Sequence, residues 1–180
     1  MKRSKAQSLN LPILGKFVAF ACAGVPPNVM GIGPAFAVPK VLAKVGISIK
    51  DVDIFELNEA FASQAVYCIE KLGLDIAKVN PKGGAIALGH PLGCTGARQI
   101  GTILTELKRT NKRIGLTTMC IGTGMGAGKI FFPSIIFLFF LMKFNGLDTY
   151  IFLFFSLTHS LSSIGCGKRI DFYLFFIFPF

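Results

Sequence analysis

The sequence has 180 residues, 52% of them hydrophobic, and carries a formal net charge of +10. This length allows one domain with a buried core, and the dispersed basic residues lack the aromatic interleaving or motif of a nucleic-acid-binding surface. The five cysteines form neither metal-binding pairs nor a disulfide framework, so we predict no metal site and a reducing environment.

The composition changes near residue 133. Residues 1–132 contain 16 Lys and Arg against 7 Asp and Glu, together with frequent alanine and glycine. Residues 133–180 contain neither alanine nor glutamate, and twelve of them are phenylalanine. We therefore predict a domain at 1–132 followed by a hydrophobic, Phe-rich tail at 133–180.

The first half of the predicted domain begins with the end of a helix at 2–10. An apolar strand is predicted at 15–22. The next helix begins near Gly33, where the following proline suits the first turn, and ends at Gly46. Pro39 is expected to kink this helix or to mark its true start.

The second half continues the alternation of strands and helices. A strand is predicted at 52–57, and Asn58 is expected to cap a helix that ends at Gly73. Another helix is predicted from Pro91 to about Arg109. The last two strands are predicted at 113–119 and 127–132. This order favours an α/β fold with helices packed on a mixed sheet.

Two glycine-rich segments each carry a reactive side chain. His90 lies between glycines where a helix is expected to begin, close to unpaired N–H groups, which suits an exposed base. Cys120 enters a run of glycines, where a substrate can approach the backbone and be held by N–H donors. Together they indicate acyl chemistry on a thioester. The alternative interpretation is that His90 and Asn58 only cap helices.

From Met1 to about Phe132 the sequence resembles the thiolase family, and within it the 3-ketoacyl-CoA thiolases of the peroxisomal type. The motifs that carry the resemblance are Val25-Pro26-Pro27 with Met30-Gly31-Ile32-Gly33-Pro34, Asn58-Glu59-Ala60-Phe61-Ala62, Gly83-Gly84-Ala85 through Gly89-His90-Pro91-Leu92-Gly93, and Cys120-Ile121-Gly122-Thr123-Gly124-Met125-Gly126. The resemblance implies thiolytic cleavage of a 3-ketoacyl-CoA to acetyl-CoA and a shortened acyl-CoA in fatty-acid β-oxidation. Coenzyme A would be a co-substrate, with no permanently bound cofactor.

The resemblance also implies roles for individual residues. His90 would be the base that activates a nucleophilic cysteine, and Cys120 would protonate the leaving enolate and then deprotonate CoA. Asn58 would hold a water that joins His90 in polarising the thioester oxygen, and the Gly122 amide would contribute to a second oxyanion hole. The residues expected to line the substrate pocket are Ala60 and Phe61.

The matched region corresponds to most of the C-terminal half of a thiolase, so the predicted thiolase-like sheet, with helices on both faces, is incomplete. We expect this chain alone to lack the nucleophilic cysteine and also a central strand before Lys2, leaving two neighbouring strands unpaired. Family resemblance implies a homo-oligomer, usually a dimer, and a peroxisomal location; cytoplasmic or membrane-associated locations are the alternatives. The ketoacyl synthases, a second enzyme class, need two histidines, whereas His90 is the only one before the tail.

The tail has three apolar runs, each shorter than the roughly 20 residues that span a bilayer. They occupy 130–142, 150–158 and 172–180. One hypothesis is a non-catalytic, truncated product whose tail contacts a membrane. The other is an intron translated after Gly128, because Gly-Lys can be encoded by GGT-AAG; this would damage the last strand.

Overall fold

The computed structural model describes residues 1–134 and, in the tail, the backbone at 139–143, 150–156 and 171–175. The chain divides into two compact units, Met1–Ser134 and Ile135–Phe180. The assignment of 1–132 and 133–180 as separate functional domains stays a prediction.

Helices and strands alternate along the first unit. In chain order they are α1 (Arg3–Ser8), β1 (Gly15–Gly24), α2 (Gly33–Val45), β2 (Ile54–Leu57), α3 (Ala62–Leu72), α4 (Ala85–Leu88), α5 (Thr95–Arg109), β3 (Gly115–Ile121) and β4 (Met125–Pro133). Short 3-10 turns occupy Pro27–Ile32, Ile49–Asp51 and Ile76–Lys78. The predicted elements are therefore present, with boundaries shifted by a few residues.

The four strands form one mixed sheet in the order β1-β4-β3-β2. β2 and β3 are parallel, whereas β4 is antiparallel to both of its neighbours. We expected a missing central strand to leave its two neighbours unpaired. This expectation is wrong for this sheet, because β3 and β4 each have partners on two sides and the four strands pair without a gap. The expected damage after Gly128 is also not observed, since β4 stays paired with β1 as far as Gly15 and Pro133.

Helices cover both faces of the sheet, as predicted. Successive side chains of a strand point to opposite faces, so Ile54 and Phe55 belong to different cores. The face under α2 and α3 buries Val38, Val41, Phe55, Leu57, Leu116 and Ile130. The face under α5 buries Ile54, Ile103, Leu107 and Phe131.

The ends of α2 follow local backbone chemistry. Pro34 lies in the first turn, where a missing N–H group costs nothing, and Gly46 ends the helix with a φ of +73°. Pro39 lies on the exposed side inside α2. The prediction that Pro39 marks the start of the helix is therefore wrong, because Pro34 already provides it.

The described part of the tail is an antiparallel sheet. Its strands, in the order β5-β6-β7, are Phe139–Lys143, Tyr150–Ser156 and Asp171–Phe175. Among all the residues that the structure describes, no helix has the length and apolarity needed to cross a membrane. Much of the tail on which the membrane hypothesis rests lies outside the described residues.

Candidate active site

Asn58 and Cys120 are brought to the same edge of the sheet by the parallel pairing of β2 with β3. Asn58 directly follows β2, and its backbone N–H donates to the carbonyl of Thr118 at 2.9 Å. Cys120 lies two residues beyond Thr118 in β3. The carboxyl ends of parallel strands are where α/β folds commonly bind ligands, which makes this edge the candidate site.

His90 joins this edge through the side chain of Asn58. Asn58 Nδ2 lies 3.3 Å from His90 Nε2, and the Asn58 side chain is fully buried. On the other side of the ring, His90 Nδ1 lies 2.6 Å from the Thr95 hydroxyl. The imidazole is half-buried and held from both ends, rather than exposed as expected.

Neither Asn58 nor His90 caps a helix, so that interpretation is wrong for both. The helix after β2 begins only at Ala62, with Phe61 in the N-cap position. The helix after His90 begins at Thr95, preceded by a turn in which the Cys94 N–H donates to the Pro91 carbonyl at 2.9 Å.

The segment that leads to His90 is anchored by two polar side chains that sequence reasoning missed. Asn80 Oδ1 accepts from the Leu57 N–H at 2.9 Å, while Asn80 Nδ2 donates to the Leu57 carbonyl at 2.8 Å and to Glu59 Oε1 at 2.9 Å. Glu59 Oε2 accepts from the Ile86 N–H of α4 at 3.1 Å. A Cβ atom at Gly84 would collide with the Glu59 carboxylate. The segment is therefore fastened to the end of β2.

Cys120 lies in β3 itself, opposite Gly126 of β4, rather than in a loop. Its side chain is 9% exposed, and burial raises the pKa of the Cys120 thiol. Within residues 1–134 no hydrogen bond joins this thiol to Asn58 or His90. The thiol is thus held mainly in its protonated form, next to the edge that carries the Asn58–His90 pair.

The glycines after Cys120 serve different purposes. A Cβ atom at Gly126 would collide with the backbone of Gly33 at the start of α2, and one at Gly128 would lie 2.9 Å from Val41 Cγ1. Gly122 has no neighbouring atom within 4 Å of the same position. Open space for a ligand beside the backbone is therefore found at Gly122, whereas Gly126 and Gly128 allow close packing of α2.

Phe61, one of the two residues predicted to contact substrate, is 56% exposed. It lines an open groove of about 410 Å³. The other lining residues are Asn28, Val29, Met30, Gly31, Ile32, Ser63, Gln64 and Tyr67. Ala60 is half-buried and does not line this groove, and neither does His90 or Cys120.

A buried ion pair lies beneath the site, on the α5 face of the sheet. Glu56 Oε2 pairs with Arg98 Nη1, while Glu56 Oε1 and Arg98 Nη2 have no partner within residues 1–134. Burial raises the pKa of Glu56 to about 7, and the Arg98 guanidinium acts in the opposite direction. Gln99 Nε2 donates to the carbonyls of Glu56 and Thr118 at 2.9 and 3.2 Å, which fastens α5 to both parallel strands.

No group of three or more His, Cys, Asp or Glu residues able to hold a metal ion occurs among the described residues. The arrangement at the sheet edge offers an imidazole, a protonated thiol, a side-chain amide and open space beside the backbone of Gly122. Such groups transfer protons and stabilise an oxyanion.

Comparison with known proteins gives consistent matches over the first unit. Residues 11–132 match the family described as "Thiolase, C-terminal domain". The peroxisomal 3-ketoacyl-CoA thiolases of Saccharomyces cerevisiae and Homo sapiens are each 65% identical, over 130 and 131 residues, covering 72% of this chain. The chain spans 31% of the length of these relatives. The crystal structure of the dimeric peroxisomal thiolase of S. cerevisiae superposes with a TM-score of 0.69 at 63% identity, covering 73% of this chain and 33% of that chain.

Proposed function

We propose that this chain, which belongs to the thiolase family through its C-terminal domain, supplies the acid–base half of a 3-ketoacyl-CoA thiolase active site. The reaction is the thiolytic cleavage of a 3-ketoacyl-CoA to acetyl-CoA and a shortened acyl-CoA, as in fatty-acid β-oxidation. The observation that carries this proposal is the Asn58–His90 pair at the sheet edge that also bears Cys120. Residues 1–132 are the domain that performs this role.

In the first half-reaction, His90 accepts the proton of a nucleophilic cysteine supplied by the other half of the thiolase fold. The resulting thiolate attacks the keto carbon, the bond between the α carbon and that carbon breaks, and the acyl group stays on the cysteine. The acetyl-CoA enolate leaves with a proton from Cys120. The raised pKa of the Cys120 thiol supports this order, because the thiol begins in the form that can donate.

In the second half-reaction, the Cys120 thiolate takes the proton of an incoming CoA. The CoA thiolate attacks the acyl-cysteine, the shortened acyl-CoA leaves, and protonated His90 returns a proton to the cysteine. Asn58, through a bound water, and His90 polarise the thioester oxygen of the substrate. The Gly122 amide contributes to the second oxyanion hole, and the open space beside the Cα atom of Gly122 supports this assignment.

Substrate contact is proposed for Phe61 and Ala60. The exposed ring of Phe61 and the apolar groove beside it support this assignment for Phe61. We further propose a homodimer in the peroxisome, with acyl-CoA and CoA as substrates. The dimeric yeast thiolase and the peroxisomal names of the relatives support these assignments.

A chimera tests the proposed function. Residues 1–132 replace the matching segment of the S. cerevisiae peroxisomal thiolase, and consumption of CoA thiol is measured with a 3-ketoacyl-CoA. We expect thiolysis, and a loss of kcat of at least about 100-fold in His90→Asn and in Cys120→Ser. The matched control is Cys94→Ser, at an exposed cysteine outside the proposed machinery, which should keep activity.

A folded but inactive chimera, or activity that survives His90→Asn, would contradict the proposal. Binding of the complete chain to phospholipid vesicles, measured by co-sedimentation, would in that case favour the alternative of a non-catalytic product with a membrane-contacting tail.

A further inference from the structure

A continuous row of hydrogen bonds runs through the His90 ring. It begins at Asn58 Nδ2, 3.3 Å from His90 Nε2, and continues from His90 Nδ1 to the Thr95 hydroxyl at 2.6 Å. It ends where the Thr95 hydroxyl reaches the Pro91 carbonyl at 3.1 Å. Thr95 is 2% exposed, so water does not compete for its hydroxyl.

The atoms that meet at the two ends of this row indicate its direction. The Thr95 hydroxyl donates its single hydrogen to the Pro91 carbonyl, which also accepts from the backbone N–H groups of Cys94 and Thr95 at 2.9 and 3.1 Å. Thr95 Oγ1 is then an acceptor towards the ring, and His90 Nδ1 must carry the proton. At the other end Asn58 Nδ2 faces the ring and can only donate, so the lone pair of His90 Nε2 accepts from it.

We propose that Thr95 is a positioning residue that holds neutral His90 in the Nδ1–H tautomer. The opposite tautomer would turn two N–H donors towards each other at Nε2. It would also turn the Thr95 hydrogen from the Pro91 carbonyl, which keeps its two backbone donors, towards Nδ1. The net loss is the hydrogen bond at Nε2, and we expect the Nδ1–H form to dominate by about tenfold.

The catalytic consequence rests on the proposed function. His90 Nε2 is the atom that would receive the proton of the nucleophilic cysteine, and it can do so only while it carries no hydrogen of its own. Thr95 would maintain that state from the far side of the ring, without touching substrate. A threonine hydroxyl would thus do for this histidine what a carboxylate does in a Ser-His-Asp triad, without adding charge.

The tautomer can be observed directly in the complete chain labelled with ¹⁵N. The sequence has only two histidines, His90 and His159, so the variant His159→Gln assigns their signals. Long-range ¹H–¹⁵N correlation at a pH where the ring is neutral distinguishes protonated from unprotonated ring nitrogens. We expect a protonated Nδ1 and an unprotonated Nε2 for His90, and a protonated Nε2 in the unaltered chain would overturn the proposal.

Two variants test the role of the hydroxyl. Thr95→Val keeps the shape but removes the acceptor, and we expect the Nε2–H population of His90 to rise at least about tenfold. Thr95→Ser keeps the hydroxyl and should restore the original spectrum. A Thr95→Val spectrum that is unchanged in a folded chain would contradict the proposal, and the unaltered chain decides the tautomer if this variant fails to fold.

The same variants separate this proposal from the proposed function. In the active chimera, Thr95→Val should lower kcat by about 10- to 100-fold with KM changed less than about twofold, and Thr95→Ser should recover most of it. An unchanged kcat would overturn the positioning role. A chimera without thiolysis would contradict the proposed function, while the spectra would still decide the tautomer.

Discussion

Two glycine-rich segments flank the candidate site, and they are held in place by different physical means. The segment from Gly83 to Gly93, which carries His90, is fastened by the side chains of Glu59 and Asn80. The segment from Gly122 to Gly128 is fastened by backbone that lies directly against α2. In the first, polar side chains determine where the reactive residue lies; in the second, the absence of side chains does.

The difference shows that a run of glycines has no single meaning. Gly122 has open space beside its Cα atom, Gly126 permits close approach of a helix, and Gly84 makes room for a carboxylate. Substitutions in the two segments should therefore change stability by different amounts. These differences test whether the two segments are held in place by different means.

The largest effect is expected for Gly126→Ala. The added methyl group would meet the backbone of Gly33, which cannot move without shifting α2, and overpacking of this kind costs roughly 3 kcal/mol or more. The free energy of unfolding, measured with urea, should fall accordingly. Gly93→Ala is the matched control, because no atom lies near its Cβ position. Equal effects of the two substitutions would contradict the conclusion that Gly126 is needed for the close packing of β4 against α2.

The next largest effect is expected for Asn80→Ala in the segment that carries His90. This change leaves the buried N–H and carbonyl groups of Leu57 without their side-chain partner, at a cost of about 2–3 kcal/mol. Asn111 also has a positive φ but is exposed, so Asn111→Ala controls for backbone strain. If urea unfolding shows the same loss for both variants, the hydrogen bonds of Asn80 contribute little.

A smaller effect should appear in the pH dependence of stability. The pKa of Glu56 is raised from 4.5 to about 7 in the folded protein, so the native state binds its proton more tightly than the unfolded chain does. The contribution of Glu56 is therefore fully present below pH 4.5 and is lost as pH rises to about 7. Glu56→Gln should remove this decline, which we expect to be about 2 kcal/mol between pH 5 and 7. An identical decline in the variant, measured by urea unfolding between pH 5 and 7, would count against this origin.

The smallest structural perturbation is alkylation of the cysteines beside the two segments. Cys94 is exposed, whereas Cys120 is buried and has a raised pKa. Iodoacetamide at pH 8 should modify Cys94 at least about tenfold faster than Cys120, as followed by peptide mass spectrometry. Cys94→Ser removes the fast reaction and identifies it. Comparable rates at the two cysteines would show that β3 and β4 separate readily enough to expose Cys120.

Much of the fold could be predicted from local patterns in the sequence. The apolar run of β1 and the proline and glycine that bound α2 depend on near neighbours, which a sequence displays. The grouping of Asn58, His90 and Cys120 came from the family motifs rather than from spacing. The helix-cap interpretation of Asn58 and His90 failed because the following helices begin several residues later, at Ala62 and Thr95.

The residues that fix the site could not be predicted in this way. Asn80 acts on Leu57, 23 positions earlier, and Arg98 pairs with Glu56 across 42 positions. These contacts exist only once β2, α5 and the His90 segment are folded together. The one local hint was Asn80 followed by proline, a turn signal that does not reveal the three hydrogen bonds of the amide.

The order of the sheet also determines when its parts can form during synthesis. β3 and β4 are adjacent in the chain and can pair as soon as both have left the ribosome. Among residues 1–134, β1 pairs only with β4, and Gly24 pairs with Met125, 101 residues later in the chain. At about 5–20 residues per second that interval is about 5–20 s. Until then β1, whose Phe17 and Phe20 are exposed even in the folded unit, has no strand to pair with.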